Sequence, residues 1–184
     1  MSARSDEALM RALQAGDDAA LAPLMERWEL GVKGFLLRLG VPAADVEDVA
    51  QEAFIRLYEK RRSYRADAPF KPWLLTIAGN LGRNRLRWRF RRREDRMDAM
   101  EERMADPAAS SATTEQAHRV HSVRTAVGLL PDALRQAVVC VELEDLSHNE
   151  AAGVLGCTAK AVETRLYRAR QLLRVSCATL LRQS

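Results

Sequence analysis

Apolar residues recur along this chain at steps of three and four, the spacing of one face of a helix. The pattern predicts a short helix from Ser5 to Gln14, interrupted by Gly16, Asp17 and Asp18, whose polar side chains suit a cap for the next helix. That second helix carries Leu21, Leu24, Met25, Trp28, Val32, Phe35, Leu36 and Leu39 on one stripe and ends at Gly40 and Pro42. Asp45 opens a third, with Val46, Val49, Ala50, Ala53, Phe54, Leu57 and Tyr58 inward. A polar loop, Arg62 to Pro69, leads to a fourth, with Phe70, Trp73, Leu74, Ile77, Ala78 and Leu81 inward and an arginine-rich tail to Arg93.

The stripe then stops. Residues 94–113 are acidic, then rich in Ala, Ser and Thr, which predicts a linker. Beyond it the pattern resumes as four helices: about Thr114 to Val127; one from Pro131 with Leu134, Ala137, Val138 and Val141 inward; a short one from Ser147 to Gly156; and one from Thr158 to about Leu180. Ser147 and Glu150 have the spacing of a capping box, which satisfies two orphan amides reciprocally.

Composition agrees with an all-α protein of two small helical domains, residues 1–93 and 114–184, joined by a flexible acidic linker. Ala, Leu, Arg and Glu dominate its 184 residues, with only 9 Gly and 6 Pro. No Gly-rich phosphate loop is present, which argues against a nucleotide-binding enzyme. No apolar run approaches the ~18 residues that cross a bilayer, and the amino terminus has no signal-peptide pattern, so a cytoplasmic chain is expected. The three Cys lack any C-x-x-C and the three His are scattered, so neither metal nor cofactor is expected. Net charge splits into +6 over residues 1–93, −5 over 94–117 and +3 over 118–184. Two basic blocks permit nucleic-acid binding without establishing it.

Three constellations carry candidate chemistry. The first is Ser147 to Arg174: a short capped helix, a Leu-Gly-Cys-Thr turn and a longer basic helix describe a helix-turn-helix, whose second helix enters the major groove. On it Val162, Leu166, Ala169 and Leu173 fall inward, whereas Lys160, Glu163, Thr164, Tyr167, Arg168 and Gln171 fall outward. Arg165 and Arg170 flank that face as phosphate contacts. The second is the polar stripe Asn80, Asn84, Arg87 and Arg91, surrounded by Arg83, Arg85, Arg89, Arg92 and Arg93 with Trp88 and Phe90 interleaved. Arginines neutralise phosphates, amides read base edges and aromatics stack on unpaired bases. Trp73 suits a core position as well as it suits that stripe. Gly79 and Gly82 are unusual inside a helix, each costing ~1 kcal/mol relative to Ala; close approach to DNA is one reason to keep them. The third is an acidic stripe with an apolar member, Asp45, Asp48, Glu52, Ile55 and Glu59. Spacing alone favours plain solubility there over a docking face. Cys157, beside the positive end of the last helix, reads as a small apolar residue before it reads as a reactive thiol.

The stretches Asp45–Tyr58 and Phe70–Asn80 resemble region 2 of the extracytoplasmic-function (ECF) sigma factors of bacterial RNA polymerase. Leu130-Pro131, Arg135, Ser147–Ala152, Leu155-Gly156 and Ala161–Arg170 resemble their region 4. The resemblance implies a non-enzymatic initiation factor without cofactors that binds core RNA polymerase through its β′ clamp and β flap, recognises promoter DNA and is restrained by an anti-sigma factor. It implies that Asp45, Asp48, Gln51, Glu52 and Ile55 dock on core, which reverses the solubility reading. It implies that Tyr64, Trp73, Asn80, Arg83, Asn84 and Arg87, with the loop Ser63–Phe70, take the −10 element. Thr158, Lys160, Glu163, Thr164, Arg165, Tyr167, Arg168 and Arg170 would then meet the −35 duplex. The alternative is a stand-alone helix-turn-helix regulator, which leaves residues 1–93 unassigned.

Overall fold

The computed structural model describes residues 4–65, 67–94, 123 and 125–180, and it is all-helical among them. The linker expected at 94–113 and most of the helix expected from Thr114 lie outside the described residues. The chain divides into two compact units, Met1–Ala99 with Gly153–Gly156, and Met100–Ala152 with Cys157–Ser184.

In the first unit, α1 (Asp6–Gln14) starts at Ser5, whose Oγ accepts from the Ala8 amide at 3.2 Å. A single 3₁₀ turn, Asp18–Ala20, leads into α2 (Leu21–Leu39). Gly40 ends α2 at φ +97°, with its own amide on Leu37 and the Val41 amide on Leu36 at 3.0 Å. That pair of bonds is a Schellman closure, and its left-handed position suits glycine. α3 spans Ala43–Lys60 and starts two residues before Asp45, since Pro42 supplies an extended residue that turns the chain into the helix. α4 spans Phe70–Glu94.

The apolar stripes meet as their spacing requires. Leu24, Val32, Phe35, Leu36 and Leu39 of α2 are buried, as are Val46, Val49, Ala50, Ala53, Phe54 and Leu57 of α3 and Phe70, Leu74, Ile77 and Ala78 of α4. Leu9, Met10 and Leu13 of α1 join this core, as does Leu75, which the stripe had left out. Tyr58 and Leu81 are half-buried, and the Tyr58 hydroxyl donates to Asp18 at 2.9 Å.

The α4 glycines have a packing reason. Gly82 is buried against α2, and a Cβ there would lie 3.0 Å from Leu36 Cδ2 and 3.1 Å from Val41 Cγ2. Gly79 also faces α2, with Phe35 Cε1 3.7 Å from where a Cβ would stand. Gly82 therefore serves the approach of two helices.

In the second unit, Pro131 precedes α5 (Asp132–Val138) as its cap residue rather than as its first helical residue. The chain then widens into a π-turn, Val139–Leu143, which the pattern did not predict, and leaves it through Asp145 at φ +54°. α6 spans His148–Leu155, its residues from Gly153 onward being grouped with the first unit, and α7 spans Ala159–Leu180. α5 packs against α7, where Val162, Leu166 and Ala169 are fully inward.

Candidate nucleic-acid and docking interfaces

The acidic stripe on α3 divides in two. Asp48 and Gln51 are exposed, the Glu52 side chain is 43% exposed, and Ile55 is 58% exposed. Beside Ile55 lies an open groove of about 210 Å³ lined by Leu21, Met25, Gln51, Phe54, Ile55 and Tyr58. The polar members brace one another lightly: Glu52 pairs with Arg56 at 3.6 Å, and Gln51 donates to Glu47 at 3.2 Å. Lys33 reaches Glu47 at 2.6 Å and, by hydrogen bonding, holds its carboxyl below the usual range.

Asp45 is engaged within the fold. It turns onto α4, where its two oxygens meet Arg89 at 3.0 Å and Arg85 at 3.4 Å, and its side chain is only 18% exposed. An i, i+3 spacing puts Asp45 and Asp48 on one face of α3, but Arg85 and Arg89 of α4 draw the Asp45 side chain to themselves.

The loop after α3 and the outer side of α4 form the second surface. Tyr64 is 3% exposed, so it is a core residue of the loop rather than a group facing solvent. Its ring packs on Phe70 and Trp73 at centroid distances of 6.3 and 5.0 Å, and its hydroxyl donates to the Ala68 carbonyl. Burial pushes the phenol above its usual range. Trp73 is half-buried against Tyr64 and Phe70, one side engaged in the core. Asn80, Asn84 and Arg87 are exposed, and Arg83 is half-buried. Arg83 donates to the side-chain oxygen of Asn80, and Arg87 to that of Asn84 at 2.6 Å. Each amide is thus oriented by a guanidinium one turn away. Arg92 stacks over the Trp88 ring at 4.2 Å. Arginines for phosphate, oriented amides and a half-buried aromatic together suit an unpaired strand.

The third surface is the helix-turn-helix. The capping box forms: Glu150 accepts from the Ser147 amide at 2.8 Å, and the Glu150 amide donates to Ser147 Oγ at 3.3 Å. Gly156 makes the turn at φ +61°. Thr158 Oγ1 then caps α7 from the Ala161 amide at 3.2 Å. Lys160, Glu163, Thr164, Tyr167, Arg168 and Arg170 are exposed, Tyr167 by 65%, and Arg165 is half-buried. Lys160 and Glu163 are paired at 2.8 Å, and this hydrogen bond lowers the carboxyl's pKa, so Glu163 is an ionised acceptor at neutral pH. The Thr164 hydroxyl donates to the Lys160 carbonyl at 2.9 Å. Arg165 approaches the half-buried Cys157 sulfur at 3.6 Å. Arg170 pairs with Glu142 of the π-turn at 2.6 Å, a partner 28 positions away that no local spacing announces.

The sequence matches two family profiles in this order: sigma-70 region 2 over residues 24–96 and sigma-70 region 4 over residues 121–173. The chain is 30% identical to the RNA polymerase sigma-H factor of Pseudomonas aeruginosa over the whole of both proteins. It is 33% identical to the ECF RNA polymerase sigma-E factor of Escherichia coli, with 97% of each chain covered. Among solved structures, CnrH in complex with the cytosolic domain of CnrY superposes with a TM-score of 0.63 at 28% identity, covering 92% of this chain and 95% of that one. The sigma factor RpoE of Bartonella quintana, in complex with the anti-sigma factor NepR, shares the fold with a TM-score of 0.66 at 23% identity, covering 84% and 96%.

A helix-turn-helix alone would leave the first unit without a purpose; a region 2 match in front of it makes this a sigma factor, which binds core RNA polymerase and promoter DNA. The chain belongs to the ECF sigma factors. The stand-alone regulator is not favoured. Among the described residues, no helix is long and apolar enough to cross a membrane.

Proposed function

We propose that residues 1–93 engage core polymerase and the −10 element, that 94–113 connect, and that 114–184 read the −35 element. Asp48, Gln51, Glu52 and Ile55 dock on the β′ clamp. Asn80, Arg83, Asn84 and Arg87, backed by Trp73, meet the opened −10 strand, and Tyr64 shapes the loop beside them. Thr158, Lys160, Glu163, Thr164, Arg165, Tyr167, Arg168 and Arg170 meet the −35 duplex, and the second unit contacts the β flap. The chain catalyses no reaction itself, acts in the cytoplasm and is held by an anti-sigma factor, as the sigma factor RpoE of Bartonella quintana is bound by NepR.

The observation that carries this reading is the α3 face: an exposed Ile55 beside an apolar groove, bordered by Asp48, Gln51 and Glu52. A large apolar side chain kept in solvent among acids suits a basic, partly apolar partner. Replacing Asp48 and Glu52 together with Lys tests it. The double variant should melt as wild type does, since exposed changes typically move stability by less than ~0.5 kcal/mol. It should fail to co-purify with core polymerase and to support run-off transcription. A variant that still assembles with core refutes the docking face.

A further inference from the structure

The loop between α3 and α4 is gripped at both ends by α1. At its start, the Gln14 side-chain amide donates to the main-chain carbonyls of Arg61 and Tyr64, both at 2.8 Å. At its end, the Glu7 carboxylate accepts from the amide of Phe70, the first residue of α4, at 3.3 Å. That amide is one of the four a helix start leaves without an internal partner. Main-chain amides, its own first, hold the Glu7 carboxyl below its ordinary range. Glu7 and Gln14 stand seven positions apart, two turns along one face of α1. Met10 and Leu13, between them, are fully buried and fix that face against the core. The grip is long-range, reaching 47 to 63 positions along the chain. Glu7 and Gln14 lie outside residues 24–96, the part that matches region 2, whereas the loop they hold lies inside it.

We infer that Glu7 and Gln14 are positioning residues for −10 recognition: α1 straps the loop over residues 61–70 into the shape that accepts an unpaired base. The inference rests on the reading of this loop as part of the −10 site. A loop ordered in advance loses less conformational freedom when it closes on a ligand. The strap therefore acts on the affinity for the correct strand, whereas phosphate contacts by arginines act on every strand alike.

The test uses the full chain, with a fluorescent single-stranded −10 oligonucleotide and a scrambled strand of the same composition. Gln14→Leu keeps most of the side-chain volume and removes the donor. Its preference for the −10 strand should fall about tenfold, the scale of one net hydrogen bond. Affinity for the scrambled strand, the salt slope, core association and −35 duplex binding should stay as in wild type. Amide hydrogen exchange across 61–70 should rise by a similar factor. Glu7→Gln keeps an acceptor and should behave as wild type, whereas Glu7→Leu should reproduce Gln14→Leu. If Gln14→Leu does not fold, the two Glu7 variants decide alone. Folded Leu variants that keep the wild-type preference overturn the inference and leave the −10 reading intact. A wild-type protein without strand preference overturns that reading, and the inference falls with it.

Discussion

Gly82 offers a quantitative test of why a helix proposed to meet DNA contains glycine. Replacing it with Ala should improve the helix by ~0.8–1 kcal/mol through propensity alone. The added methyl would sit 3.0 Å from Leu36 Cδ2 and 3.1 Å from Val41 Cγ2, inside the ordinary 3.5–4.0 Å carbon contact. Leu36 and Val41 are themselves fully buried, so neither tip can move freely into solvent. Overpacking of this kind costs ~1–3 kcal/mol. The two effects oppose, and Gly82→Ala should come out between neutral and ~2 kcal/mol destabilised. Gly82→Val adds two further methyls to the same wedge and loses side-chain freedom in the helix, so it should cost ~2 kcal/mol or more. For a unit of this size that lowers Tm by ~8–16 °C. Thermal unfolding by circular dichroism measures both variants, and binding of the −10 strand below the transition separates folding from recognition. A 4–8 °C rise for Gly82→Ala, the full propensity gain, would show that the helices are not in tight contact there. Wild-type melting of Gly82→Val with weakened −10 binding would assign the glycine to DNA instead.

Asp45→Asn should leave core association unchanged, because Asp45 faces Arg85 and Arg89 rather than solvent; freeing two guanidiniums should steepen the salt dependence of single-strand binding by up to ~0.7 per added phosphate contact, and loss of core binding would return Asp45 to the docking face. Glu163→Arg should shift preference at one −35 position from cytosine toward guanine by ~1–3 kcal/mol, whereas Arg170→Ala should weaken all promoters alike and reduce the salt slope by ~1; a promoter-library selection that finds no base shift for Glu163→Arg removes Glu163 from readout. Tyr64 has a folded-state pKa raised by burial, so its contribution is fully present below the unfolded tyrosine pKa and is lost as pH rises through the folded one. Wild type should therefore lose stability in that alkaline range more steeply than Tyr64→Phe, as urea unfolding against pH would show.

The local grammar of this protein was legible in its sequence. Ser147 and Glu150 read as a capping box, and Thr158 as a cap, because a cap needs only its own first turn. Val162, Leu166 and Ala169 read as the inward side of α7 for a similar reason: periodicity reports the angle of a side chain about its helix axis. The outward positions Lys160, Glu163 and Thr164 followed from the same rule.

What lies opposite a face was decided by tertiary structure. Asp45 and Asp48 share a stripe, yet α4 draws one into ion pairs and leaves the other to solvent. Tyr64, set in a polar loop with no period to place it, is buried because Phe70 and Trp73 arrive from the next helix. Gly82 breaks a propensity rule because α2 comes within a methyl's width of it. Gln14 and Glu142 gained their partners across 47 and 28 positions. A helix carries its own hydrogen bonds and stripe within a few residues, so sequence alone determines it. The neighbour that converts an exposed carboxylate into an ion pair, or a polar loop into a core, is supplied by a chain segment that no local pattern records.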